Sequence, residues 1–214
     1  MKTLTTFILI LLHVANADTG GDPFCNAEDQ AVLLKIQDHF GGQDGRLSGW
    51  DPSLNCCTDW NFVGCDLDYD SHPGRVTSIT VSRNWGLSGP LPIELGHLPF
   101  LNTLSFAAQP NITGPIPQSF GNLKYLQVLD LDSNQITGPI PVVLGRLKSL
   151  LQVNLSDNRL FGVIPNFSDK LTSFDVSSNS LCGAIPTVLN KFGLNAFKNN
   201  KCLCGAPLPT CKFN

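Results

Sequence analysis

Eight cysteines are the residues of this 214-residue chain with the clearest chemistry, since a thiolate can bind zinc, act as a nucleophile or form a disulfide. Cys56-Cys57 and Cys202-x-Cys204 each offer two thiolates, but a C-x₂₋₄-C zinc pair at each end is missing. An even, high count is typical of disulfides in an oxidising compartment. We predict disulfides and no metal at Cys25, Cys56, Cys57, Cys65, Cys182, Cys202, Cys204 and Cys211.

Carboxylates are the second candidates, because a pair of them can act as general acid and base. Asp130 and Asp175 would be such a pair, but the neighbouring sequence supplies no apolar pocket to raise one pKa. The chain contains no G-x-S-x-G or P-loop motif, and no histidine falls where it would complete a Ser/His/Asp arrangement. We predict that the protein is not an enzyme and needs no cofactor.

The elements that must position these residues follow from an internal repeat. The pattern L-x-x-L-x-L-x-x-N occurs five times, 21–25 residues apart, and each copy is followed by a G-x-I/L-P phrase. This period and this phrase are those of a leucine-rich repeat. The five copies are Val76–Asn84, Leu101–Gln109, Leu126–Asn134, Leu150–Asn158 and Leu171–Asn179.

Each copy predicts one strand of a concave parallel β-sheet in an α/β leucine-rich-repeat solenoid. Leu129 and Leu131 alternate with Asp130, so the leucines face inward and the aspartate outward. Asn134, Asn158 and Asn179, and Gln109 in the second copy, are expected to bond backbone groups at the turn. The outward positions that we predict to bind a partner are Arg83, Asp130, Asp132, Asp157 and Asp175.

Two interpretations of the four aspartates remain open: the ordinary polar surface of an exposed sheet, or an acidic patch that binds a basic protein. The whole chain has a net charge of −3 and only 14% charged residues, which argues against binding to nucleic acid.

The ends of the chain are expected to differ from the repeats. Lys2, an apolar run and Ala15-Asn16-Ala17 predict a signal peptide at residues 1–17, hence secretion. The run is shorter than the roughly 20 residues of a membrane span, and no later stretch reaches that length. Residues 18–75 should form a cysteine-paired cap with a helix at 27–40, residues 76–189 the five repeats, and residues 190–214 a second cysteine-paired cap.

The four front and four rear cysteines would lie roughly 20–25 Å apart in such a solenoid, too far for a disulfide. Pairing within each end leaves nine combinations.

Three N-x-S/T sequons at Asn111, Asn166 and Asn154 are candidate glycosylation sites, and the first two fall on loops.

Several phrases resemble the plant polygalacturonase-inhibiting proteins, a family of extracellular leucine-rich-repeat proteins. They are the opening Cys25–Asp29 segment, the Ser48-Gly49-Trp50 and Cys56-Cys57 phrases, and above all the ending Asn200–Pro209 with Cys211. The resemblance implies the pairs Cys25–Cys56, Cys57–Cys65, Cys182–Cys202 and Cys204–Cys211. It also implies a cell-wall location in plants and inhibition of a secreted polygalacturonase in defence. Contact with pectin is a further expectation.

The repeat count departs from that family, whose members usually carry about ten copies where this chain has five. Five is similar to small plant co-receptor ectodomains. A second interpretation is therefore an extracellular signalling module that binds a receptor ectodomain and has no inhibitory activity.

Overall fold

The computed structural model describes residues 24–68 and 72–211. The predicted signal peptide lies outside this part of the chain. The helix α1 (Ala27–His39) begins after Asn26, whose side-chain oxygen accepts hydrogen bonds from the backbone N–H groups of Glu28 and Asp29. It occupies the predicted position and ends one residue earlier than expected.

The described residues form twelve strands and six short 3₁₀ helices. The strands are β1 (Val63–Cys65), β2 (Val76–Thr80), β3 (Ser88–Pro90), β4 (Thr103–Ser105), β5 (Asn111–Thr113), β6 (Val128–Asp130), β7 (Thr137–Pro139), β8 (Gln152–Asn154), β9 (Arg159–Gly162), β10 (Ser173–Asp175), β11 (Ser180–Ala184) and β12 (Cys202–Cys204). The 3₁₀ helices are Gly42–Asp44, Ile93–His97, Gln118–Asn122, Leu144–Arg146, Thr187–Leu189 and Leu194–Ala196.

The main sheet has the order β1-β2-β4-β6-β8-β10. Five of its strands are parallel and come from the five repeats, as predicted, while β1 joins the edge antiparallel to β2. The central residues of the repeat strands stand level with one another and are buried: Ile79, Leu104, Leu129, Val153 and Phe174. Leu129 and Leu131 both lie in the core, which confirms the predicted register.

A second set of strands follows the turn of each coil, where the sequence predicted only an extended path. Strands β7, β9, β11 and β12 pair in parallel, and β3 pairs with β5. The glycine of each G-x-I/L-P phrase has a positive φ, for example +84° at Gly138, which favours glycine. At Gly114 a Cβ would also approach Cβ of Pro90 to 3.0 Å. These glycines let neighbouring coils approach closely enough to pair.

Buried amides hold the turns between the two sheets, as predicted. Asn134 Nδ2 donates to the backbone oxygens of Phe106, Leu131 and Asp132, and its Oδ1 accepts from Gln109 N–H. Asn158 and Asn179 repeat this arrangement one and two coils later. The Gln109 side chain fulfils the same role in the second repeat by donating to Ser82 O and accepting from Gly86 N–H.

The rear cap contains a sixth partial coil that the sequence pattern did not reveal. Asn200 Nδ2 donates to Val176 O and Phe197 O, and its Oδ1 accepts from Leu181 N–H, as in the asparagines before it. Strand β12 then pairs with β11. The last regular repeat is therefore covered by a coil of its own kind.

Four disulfides close the two caps: Cys25–Cys56, Cys57–Cys65, Cys182–Cys202 and Cys204–Cys211. This is the pairing that the resemblance implies. The Sγ atoms of Cys25, Cys56 and Cys57 lie within 4.8 Å of one another, but these three sulfurs are in disulfides and are not metal-binding thiolates.

The front cap packs through aromatic rings and one buried ion pair. Trp50 and Trp60 stack at 5.4 Å between ring centroids and are both buried, as members of the cap core. Arg75 donates twice to the buried Asp29 carboxylate, which also accepts from Val76 N–H. Because Val76 begins β2, this contact joins α1 to the first repeat.

Candidate protein-binding face

The outward side of the five repeat strands is the largest regular surface on which the sequence placed candidate residues. We call it the outer face. Between the inward residues each strand presents two outward positions, so the face has two columns that run across the coils. The first column contains Ser78, Thr103, Val128, Gln152 and Ser173, and the second contains Thr80, Ser105, Asp130, Asn154 and Asp175. The sequence analysis did not single out the first column, although the same alternation defines it.

Asp132, predicted as a free contact residue, is instead paired within the protein. Its Oδ1 accepts a hydrogen bond from Arg83 Nη2 at 3.0 Å, and its Oδ2 accepts one from Ser133 Oγ at 2.8 Å. The residue is only 7% exposed. The acidic patch therefore has one free carboxylate fewer than predicted, because Asp132 is bound within the fold.

The contact between Arg83 and Asp132 crosses a complete coil. Arg83 follows β2 and Asp132 follows β6, and the intervening coil carries Ala107 and Ala108 at this level. Two alanines leave room for the arginine side chain, which remains 61% exposed along its path. The pattern in the sequence that could have indicated this ion pair is an Arg and an Asp two repeats apart, with small residues at the same level of the repeat between them.

Asp130 lies beside this ion pair, is half-buried, and accepts a weak hydrogen bond from Asp132 N–H at 3.4 Å. Burial raises the pKa of the Asp130 carboxyl above its ordinary value, and the nearby negative charge of Asp132 raises it further. Arg83 acts in the opposite direction with a smaller effect. From the sequence we expected no surroundings that would raise the pKa of Asp130, and its burial corrects that expectation.

The remaining aspartates extend the acidic surface across the next two coils. Asp157 is exposed at a turn, with φ +51°. Asp175 is half-buried, and its Oδ1 accepts from Ser177 N–H at 2.8 Å. Asn154 lies level with Asp130 and Asp175 and separates them. The structure therefore brings Asp130, Asp157 and Asp175 to one face as carboxylates without an ion pair among the described residues.

An aromatic corner borders the outer face at its front end, and the sequence analysis missed its role. Trp85 follows Arg83 by two residues, is 38% exposed, and donates from Nε1 to Arg46 O at 2.8 Å. Its ring meets Phe62 edge-on at 4.9 Å between centroids. A cavity of about 210 Å³ opens between the Arg46–Trp50 segment and these rings. Exposed Trp and Arg side chains together are typical of protein contact surfaces.

Three family models match the chain. The Leucine rich repeat N-terminal domain matches residues 26–66, and two Leucine rich repeat models match residues 109–160 and 170–192. A solved structure of the BIR3–SERK2 complex from Arabidopsis thaliana contains a chain that is 30% identical, with a TM-score of 0.72 over 86% of this chain and 100% of that one. The chain belongs to the leucine-rich-repeat proteins.

Other relatives of this leucine-rich-repeat protein come from plants. The polygalacturonase inhibitor of Pyrus communis is 36% identical over 112 residues, which are 52% of this chain and 32% of the relative. Polygalacturonase inhibitor 2 of Arabidopsis thaliana is 35% identical over 111 residues, with the same shares. The match thus spans about a third of the length of these curated relatives.

The BIR2 ectodomain from Arabidopsis thaliana is 29% identical, with a TM-score of 0.75 over 88% of this chain and 100% of that one. The protein is therefore an extracellular leucine-rich-repeat protein similar to the polygalacturonase inhibitors. No helix in residues 24–68 or 72–211 has the length and apolarity needed to cross a membrane.

Proposed function

We propose that this leucine-rich-repeat protein is secreted to the plant cell wall and inhibits a pathogen polygalacturonase through its outer face. The observation that carries the proposal is the group of carboxylates without an ion pair at Asp130, Asp157 and Asp175, on a face whose two columns are otherwise uncharged. The similarity to polygalacturonase inhibitors supports this choice of partner.

The charge arrangement favours a basic patch on the enzyme. Adjacent strands lie about 4.8 Å apart, so carboxylates on neighbouring coils act together within one screening length. Such a surface acts mainly on the rate at which a basic partner associates. Trp85 and Arg46 at the front corner offer the less polar contact that retains a bound partner.

The test is the association rate between the secreted protein and a panel of endopolygalacturonases, measured by surface plasmon resonance beside a reducing-sugar assay. Changing Asp130→Asn together with Asp157→Asn should slow association about 3- to 10-fold at low salt, and the difference should shrink as salt screens the charges. Inhibition of the enzyme should weaken in parallel.

The matched control removes two exposed carboxylates from elsewhere, by Asp38→Asn on α1 and Asp169→Asn on a loop. This control should leave the association rate unchanged. An equal effect of both double variants would remove the outer face from the mechanism. Absence of binding by the natural sequence to the whole panel would contradict inhibition itself.

A second candidate is an extracellular module that binds a receptor ectodomain. It is favoured by the structural similarity to the BIR2 ectodomain, which extends over 88% of this chain, whereas the match to the inhibitor of Pyrus communis covers 52% of it. The same immobilised protein, probed with purified receptor ectodomains instead of enzymes, separates the two candidates. Binding to an ectodomain without inhibition of any polygalacturonase would favour this module.

A further inference from the structure

A groove lies between two consecutive coils on the side that carries the 3₁₀ helices. It has a volume of about 420 Å³ and is lined by Val142, Arg146, Val163, Ile164, Pro165 and Asn166. Val142 and Val163 are 60% and 62% exposed, among the most exposed large apolar side chains of the described residues. An apolar groove of this size on an extracellular protein calls for an occupant.

Asn166 forms part of the groove wall and is the first residue of the sequon Asn166-Phe167-Ser168. Its side chain is exposed and makes no hydrogen bond within the described residues. Its backbone is fixed, because the carbonyl oxygen of Asn166 packs so tightly on Gly145 that a Cβ there would overlap it. Phe167 is buried behind it. A group attached to the amide nitrogen of Asn166 would therefore start at the edge of the groove.

We propose that Asn166 carries an N-linked glycan whose first N-acetylglucosamine lies in this groove against Val142 and Val163. A pyranose ring presents an apolar C–H face and an acetamide methyl, which suit the two valines, while the exposed Arg146 guanidinium can donate to sugar oxygens. The glycan is the expected occupant of the groove because its first sugar is covalently attached to Asn166, a residue of the groove wall. The glycan shields exposed apolar surface and joins two coils.

The other two sequons lack this combination. Asn154 Oδ1 already accepts hydrogen bonds from Ser156 N–H and Ser156 Oγ in the middle of the outer face. Both bonds use Oδ1 and leave Nδ2 free, but Asn154 lines none of the described cavities, so a glycan there would project from the outer face without a groove to receive it. Asn111 is exposed on β5, where the sequence predicted a loop, and it lines none of the described cavities. A glycan at Asn111 would extend into solvent and contribute no contacts to the fold.

The first measurement is the occupancy of each sequon. The full chain is secreted from a mammalian host, treated with peptide-N-glycosidase F in H₂¹⁸O, and mapped by mass spectrometry for the Asn-to-Asp conversion that marks a glycosylated site. Conversion at Asn166 is expected. An unmodified Asn166 would overturn the proposal.

The second measurement tests the position of the glycan by thermal unfolding. Asn166→Gln should lower Tm by about 2–4 °C, the shift that a modest loss of contacts causes in a domain of this size. Ser168→Thr keeps the sequon and should not lower Tm. Asn111→Gln is the matched control, because it removes a sequon that lies next to no groove. It is expected to leave Tm unchanged.

The groove itself is tested by Val142→Thr with Val163→Thr, which keeps shape at two exposed positions but removes apolar character. In this background Asn166→Gln should no longer change Tm. An unchanged effect of Asn166→Gln would show that the glycan does not contact the valines. These results do not depend on whether the outer face binds a polygalacturonase.

Discussion

At the scale of single residues, Asp130 illustrates how a half-buried carboxylate on an acidic surface lowers stability. Its raised pKa arises from burial and from the charge of Asp132, so the folded protein holds the Asp130 proton more tightly than the unfolded chain does. This contribution favours the folded state at low pH and is lost as pH rises through the raised pKa. At neutral pH the ionised carboxylate therefore opposes folding.

We predict that Asp130→Asn raises Tm at pH 7 and that the gain disappears near pH 3, where the natural carboxyl is itself neutral. Thermal unfolding at several pH values would measure this. Asp157→Asn is the control, since Asp157 is exposed on the same face. A gain that persists at pH 3 would mean that packing, not charge, causes the effect.

The sequence predicted which side of the sheet each of these residues occupies, because strand alternation determines it. It did not predict that Asp132 forms an ion pair with Arg83. The contact with Arg83 joins residues 49 positions apart and exists only because the coil between them carries alanines. Outward direction follows from local spacing, but exposure depends on the neighbours that stacking brings together.

At the scale of elements, the buried asparagines couple each coil to the coil before it. Asn134 satisfies three backbone oxygens and one backbone N–H, and those groups are cut off from water. We predict that Asn134→Ala lowers the free energy of unfolding by at least about 1–3 kcal/mol, the cost of leaving one such group unpaired. Asn122→Ala, at an exposed position, should have little effect. Equal losses in denaturant unfolding would contradict a special role for the turn.

The repeat strands and the asparagines were predictable because each leaves a fixed spacing of residue types. The second set of strands was not, since β3 and β7 contain the Gly-Pro pair that normally indicates a turn. The first repeat also departs from the pattern. In the second and third repeats, the residue with a positive φ (Ala108 or Ser133) comes directly before the buried amide. In the first repeat Asn84 itself has the positive φ, and its side chain is exposed.

At the scale of the whole molecule, stability should vary along the solenoid. Each coil contacts mainly its neighbours, so the two end coils depend on their caps. The front cap adds the buried Asp29–Arg75 pair and two disulfides. The rear cap has a partial coil closed by Cys182–Cys202 and Cys204–Cys211. The spacing of the cysteines predicted that the caps are separate. The sequence did not reveal the partial coil in the rear cap, because Phe192 and Asn195 occupy positions where earlier copies have other residues, all of them apolar.

Opening one cap should therefore loosen the molecule from that end. We predict that Cys204→Ser with Cys211→Ser lowers stability by about 2–5 kcal/mol and speeds amide exchange first in β12 and β11, while β2 keeps its protection. The control is Cys57→Ser with Cys65→Ser, since the two bridges span 7 and 8 residues. It should reverse the gradient, with exchange starting at β1 and β2. Hydrogen–deuterium exchange followed by mass spectrometry measures both variants. Uniform loss of protection in either variant would mean that the coils unfold as a single unit. The interfaces between the coils would then contribute more to stability than the caps do.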